Sequence, residues 1–174
     1  MAFSERFNQL KLYASNTVLN VLVWGSGAGQ AQHFEKRKKI REELQKQFVN
    51  AAVHFSEDPG LLEELTRTIS DAKELSVPQQ ELWHLGACDV CVALDTSEGV
   101  HQEIAHFVSS PWSSKLIILT NSRFKDSSGF PGMLRENKNQ IFYEDSEYDS
   151  CNLVNRVVTR VFQVALGKVA GLVT

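Results

Sequence analysis

The chain has 174 residues, of which 43% are hydrophobic and 22% charged, the size and composition of one domain with a single well-buried core. Eighteen basic against twenty-one acidic residues leave a formal charge of -3, so the overall balance exerts no long-range pull on nucleic acid or anionic lipid, and no direct nucleic-acid binding is expected. Glu5, Arg6 and Lys11 interrupt the first apolar stretch, which excludes the uncharged core of a secretion signal or membrane span there, and a cytoplasmic protein without a membrane partner is expected.

The elements follow in alternation. "TVLNVLVW" (17–24) is β-branched, mostly apolar and stopped by "GSGAG", which predicts a central strand entering a loop. Residues 33–48 place Phe34, Ile40, Leu44 and Phe48 on one side and most of "EKRKK" on the other, an amphipathic helix. "AAVHF" (51–55) is a second short strand. The helix after it, within 56–72, is capped by Asp58 ahead of Pro59 and buries Leu61, Leu62, Leu65 and Ile69. Pro78 opens a short helix, "PQQELWHLGA", that feeds "CDVCVAL" (88–94), a buried strand. A helix over 98–109 leads to the strand "KLIILT" (115–120). Residues 121–139 carry turn residues and no period, and a loop of that length in a compact domain is usually functional or mobile. "QIFY" (140–143) reads as a last strand before a closing helix over 152–170.

Strands alternating with helices imply one α/β domain over 1–174, a doubly wound, mainly parallel sheet of about five strands with helices on both faces, flavodoxin-like or Rossmann-like. Ligands of such sheets bind beyond the carboxyl ends of the strands, here "WGSGAG", "HFSED", "LDTSEG" and "LTNS", the last of which brings Asn121 into the candidate pocket.

At the first of these ends Gly25, Gly27 and Gly29 follow a GxGxG pattern, with Gln30 where the dinucleotide fingerprint needs its third glycine. That break argues against a redox Rossmann enzyme, while three glycines in five residues imply close approach of a ligand or of another segment. Glu57 and Asp58 stand where a dinucleotide fold keeps its ribose-binding acid, although Asp58 is already occupied as a cap. The basic run at 35–46 alternates with Glu35, Glu42 and Glu43 and reads as a solvated helix face. Cys88, Cys91 and Cys151 form no metal-ligand spacing, so structural thiols and no metal site are expected.

The segment "LDTSEGVHQEIAHF" (94–107) carries the sharpest signal. Asp95 ends a strand, and Glu98 starts a helix, where a negative charge suits the helix dipole. Glu103, between Val100, Ile104 and Phe107, sits at the edge of the buried stripe, where a carboxylate needs a partner or a purpose. His101 and His106 stand two before and three after Glu103 and make no obvious triad; packing or surface roles are the simpler expectation.

The strand-to-helix segment "ACDVCVALDTSEGVHQEIAHF" resembles that of nucleoside 2-deoxyribosyltransferase-like proteins, whose architecture and glutamate are shared by TIR and TIR-like NAD-cleaving domains. The match covers 81–107: Asp89 opening the strand, the loop 95–98, then Gly99 and Glu103 in a G-x-x-x-E spacing. The resemblance implies that Glu103 is the nucleophile or stabiliser at the anomeric carbon as an N-glycosidic bond breaks, chemistry a carboxylate can perform as in glycosidases. It implies a substrate-binding acid eight residues before Asp89, which is Glu81, equally readable as an exposed glutamate beside Trp83. It also implies that Trp24, Gly25, Ser26 and Gly27 line the base or sugar pocket, Trp24 by stacking on a base. The transferases carry an acid where this chain has Ser97, with Glu98 one position later; a serine ahead of the glutamate is a TIR feature and leans toward hydrolysis of NAD or a nucleotide.

The first expectation is therefore an N-glycosidase or N-glycosyltransferase acting on a nucleoside, nucleotide or NAD as substrate, with no cofactor. Glu103, Glu81 and Ser97 carry the chemistry, and Trp24, Gly25, Ser26, Gly27, Asp95, Glu98, Gly99 and Asn121 bind. The alternative is a non-enzymatic nucleotide-sensing module that oligomerises or assembles with a partner protein, for which the apolar closing helix would supply an interface. A role in bacterial antiviral defence is implied by the resemblance alone.

Overall fold

The structure, a computed structural model, describes residues 3–69, 74–96, 98–125 and 140–171. Along the chain run α1 (Phe3–Ser15), β1 (Leu19–Trp24), α2 (Ala31–Gln47), β2 (Ala51–Phe55), α3 (Pro59–Thr68), α4 (Val77–Ala87), β3 (Val90–Leu94), α5 (Glu98–Val108), β4 (Leu116–Asn121), β5 (Gln140–Tyr143), α6 (Asp145–Tyr148) and α7 (Cys151–Val169). The five strands form one all-parallel sheet in the order β2-β1-β3-β4-β5. This is the doubly wound flavodoxin-like order, which reverses direction between β1 and β3.

Strand composition follows position in the sheet. β3 and β4 are interior, covered on both faces, and every residue of "VCVAL" and "LIILTN" is buried. The edge strands β2 and β5 instead alternate between buried and partly exposed positions. The register Val21↔Val90, Val23↔Val92 and Val92↔Ile117 stacks like-facing residues across three strands. Val21, Val23, Val92 and Leu119 meet Ile40 and Leu44 of α2, Phe48 just after it, and Leu153, Val157 and Val161 of α7 on one face. Leu22, Trp24, Cys91 and Ile118 meet Leu85 of α4 and Val100, Ile104 and Phe107 of α5 on the other.

Several local expectations are refined. Residues 3–15, to which the sequence assigned no element, are helical, because Ala14 can bury beside the sheet while Phe7, Leu12 and Tyr13 stay exposed, so no apolar stripe marks the helix. Asp58 precedes α3 without capping it by side chain; its carboxylate accepts from the Phe55 N–H at 3.1 Å and pairs with Arg41 at 3.1 Å. Ser76 and Gln79 form a capping box at α4. α7 is closed by Gly171 at φ 68°, the left-handed conformation that suits glycine beyond a helix end. Leu153, Val154, Val157, Val161 and Ala165 of this helix are buried in the core, while Val158, Phe162, Val164 and Leu166 are partly buried and Val169 is exposed. Among the described residues no helix is long and apolar enough to cross a membrane.

Candidate functional site

The carboxyl end of β1 is organised by an arginine from the basic run. Arg37 lies on the Phe34–Ile40–Leu44 side of α2 and is fully buried, as is Lys36 to 3% exposure, which corrects the expectation of a solvated face for these two residues. The guanidinium donates to the carbonyls of Val23 (2.8 Å) and Ser26 (3.2 Å) and to both carboxylate oxygens of Glu57 (2.8 Å each). The Phe55 ring covers it at 4.5 Å. The pair is bidentate, the geometry that suits guanidinium and carboxylate best. Burial would raise the Glu57 carboxyl, but the Arg37 hydrogen bonds and charge leave it below its usual value.

Gly25 has its reason here. A Cβ on it would stand 2.8 Å from Arg37 Cδ and 3.2 Å from Leu94 Cβ, so the close approach implied by the glycine turn is made by Arg37. Gly27 and Gly29 face open space. Trp24 does not offer its ring to a ligand: it is 1% exposed and packs on Phe107 at 5.0 Å, because the alternation of β1 directs it into the α4–α5 face.

Glu81 and Glu103 stand in the second turns of α4 and α5, on the same face of the sheet, and lie close enough for their charges to interact. Glu81 is buried, 9% exposed, which excludes its reading as a surface glutamate. Its pKa is pushed up to about 8, first by burial and then by repulsion from Glu103; Glu57 adds to the rise, while a hydrogen bond with Ser56 and the charge of Arg37 oppose it. Glu103 is partly buried, and its carboxyl is likewise raised above the usual value, by burial acting against the opposing charge of Arg37. The pair thus joins a deeply buried acid that holds its proton at neutral pH to a less buried carboxyl whose rise a nearby cation opposes.

The remaining candidates divide around a bridge. Ser26 Oγ and Thr96 Oγ1 share a hydrogen bond of 3.0 Å that ties the loop after β1 to the loop after β3. Beyond it, over the ends of β3, β4 and β5, opens a cavity of about 400 Å³ lined by Asp95, Thr96, His101, Asn121 and Arg123 together with the start of α2. Asp95, 3% exposed, contacts Nδ1 of His101 through Oδ1, a pairing that sequence spacing did not reveal because it spans a strand end and the first helical turn. Burial lowers the His101 pKa. Asn121 is held at both ends of its amide, donating to Asp145 at 2.6 Å and accepting from the Arg123 N–H at 3.0 Å. Glu98 and Gly99 form the opening turn of α5, and Ser97 lies outside the described residues, as do 126–139 of the long loop.

Asp89, by contrast, is at the amino end of β3, where it accepts from the Asn20 N–H at 2.8 Å and pairs with Lys168 at 2.7 Å. It secures the sheet and is remote from the carboxyl-end site. Cys88 and Cys91 are buried, and burial pushes the Cys88 thiol up to about 12 and Cys91 well above its usual value, so both remain protonated. No cluster of three or more metal-ligating side chains occurs among the described residues. No protein-family model matches the chain, and no curated protein matches it significantly.

Two outcomes follow for stability. Gly25→Ala should destabilise the fold by about 1–3 kcal/mol through overpacking, whereas Gly27→Ala, whose Cβ meets nothing within 4 Å, should change it by less than about 0.5 kcal/mol; urea unfolding compares the two. Because the folded state raises Glu81 from 4.5 to about 8, it binds that proton more tightly than the unfolded chain does. That stabilising contribution is present below the unfolded value and lost as pH rises through about 8. Between about pH 5 and about pH 9 the Tm of the wild type should therefore fall more than that of Glu81→Gln, with the variant the more stable at the alkaline end.

Proposed function

We propose that the protein breaks or exchanges the N-glycosidic bond of a nucleoside, a nucleotide or NAD. The observation that carries this is the juxtaposition of Glu81 and Glu103 on α4 and α5, with Glu81 raised to about 8 by burial and by Glu103. The resemblance of residues 81–107 to nucleoside 2-deoxyribosyltransferase-like and TIR-like segments supports the same assignment.

In this mechanism the ionised Glu103 stands at the anomeric carbon, where its negative charge stabilises the oxocarbenium-like centre or traps it as a glycosyl ester. Glu81 supplies the proton that the departing base needs as the carbon–nitrogen bond breaks. Water, or a second base, then attacks the same carbon, and the proton it releases restores Glu81. Arg37 does not touch the substrate; as a positioning residue it favours the charged form of Glu103 and fixes the turn after β1.

A second reading, a nucleotide-binding module that acts through assembly, is favoured by one observation: the cavity of about 400 Å³ over β3, β4 and β5 is lined by neither Glu81 nor Glu103. Ligand-dependent association without base release would select it.

Incubation with NAD and a panel of nucleosides and nucleotides, followed by chromatography, should show free base. Glu103→Gln should reduce the release by about a hundredfold or more; undiminished release would remove Glu103 from the mechanism. The rate should rise with pH as Glu103 ionises and decline as pH passes about 8, where Glu81 loses its proton, and Glu81→Gln should abolish that alkaline decline.

A further inference from the structure

We propose that the cavity over the carboxyl ends of β3, β4 and β5 is a binding site for a phosphorylated ribose, such as the sugar phosphate of a mononucleotide. At about 400 Å³ it falls in the range of roughly 300–1,000 Å³ occupied by small-molecule sites. The assignment is independent of Glu103 being a nucleophile, because neither member of the acid pair lines this cavity.

Two opposite chemical demands meet in its walls. The first is for hydrogen-bond donors. Asp95 is 3% exposed and lines the cavity; its Oδ1 faces His101 Nδ1, whereas Oδ2 is buried with no hydrogen-bond partner among the described residues. A buried carboxylate oxygen without a donor is costly, and hydroxyl groups of a ribose satisfy it.

The second demand is for an anion. Gln32 and His33, in the first turn of α2, line the cavity. That helix has 17 residues, its N-cap Gln30 makes no side-chain capping bond, and no acid occupies its first turn, so its N–H groups and positive dipole end are not neutralised by a cap. Arg123 enters from the end of β4, stacked on the Phe124 ring at 4.6 Å and in no ion pair among the described residues. The remaining acid of the wall, Asp145, already has its Oδ1 engaged by Asn121 at 2.6 Å. Inorganic phosphate meets only the second demand and an unphosphorylated nucleoside only the first; a ribose phosphate meets both within one small cavity.

Isothermal titration calorimetry with ribose 5-phosphate tests this without turnover, since that ligand has no base to release. Ribose 5-phosphate should bind about tenfold or more tightly than either adenosine or inorganic phosphate. Arg123→Ala should weaken it by about tenfold and flatten its dependence on salt, and Asp95→Asn should weaken it while leaving the weak phosphate binding unchanged. Binding no tighter than that of inorganic phosphate, or affinity insensitive to Arg123→Ala, would overturn the proposal. Arg123 lies outside the core, so this variant decides the matter even where Asp95→Asn fails to fold. Base release that fails while ribose 5-phosphate binding persists would count against the Glu103 mechanism alone.

Discussion

The guanidinium of Arg37 is the group on which the carboxyl end of the sheet depends. A fully buried cation loses several kcal/mol of hydration and persists only where partners replace the water. Here the carbonyls of Val23 and Ser26 and both oxygens of Glu57 do so, and the guanidinium lies over the Phe55 ring. Each partner is thereby fixed: the turn after β1 is drawn onto α2, Gly25 is required for lack of space, and the loop after β2 is anchored through Glu57. One side chain thus ties α2 to the turn after β1 and to the loop after β2, and its charge opposes the rise that burial imposes on Glu81 and Glu103.

That charge also shapes the acid pair. Glu81 and Glu103 both lose solvation, and both feel Arg37, yet Glu81 is the more deeply buried and additionally faces the negative Glu103. Two like carboxyls in one low-dielectric region separate in proton affinity, since both cannot ionise cheaply. Two carboxyls of different proton affinity result from one residue type. On the other side of the Ser26–Thr96 bridge, Asp95 and His101 form a second polar pair facing the cavity. The reversal of strand order between β1 and β3 creates both environments, because the loops leaving those strands diverge to opposite faces of the sheet.

Parts of this site were legible in the chain. Glu103 was marked by its place at the edge of the Val100–Ile104–Phe107 stripe, and the structure finds it partly buried there. Arg37 was hidden inside a basic run, although its position three residues after Phe34 and three before Ile40 placed it on the apolar side of α2. That spacing was the available signal. Trp24 was assigned a pocket role by its position at a strand end, but position along a strand does not decide which face a side chain joins; the parity of β1 puts it with Leu22 against Phe107. The Asp95–His101 contact depends on how the chain bends between β3 and α5, which no periodicity reports.

What the sequence by itself determined is the architecture. Continuous apolar runs ending in turn residues, alternating with amphipathic stretches, force strands to be buried on both faces by helices, and only a parallel doubly wound sheet accomplishes that with such short connections. The tertiary structure alone decided which charged residues are withdrawn from water and beside what. Arg37, Glu81 and Glu103 come from three helices and Glu57 from the loop after β2, and the proton affinities of the three acids follow from mutual placement and desolvation, quantities that exist only once α2, α4 and α5 have packed at the carboxyl end of the same sheet.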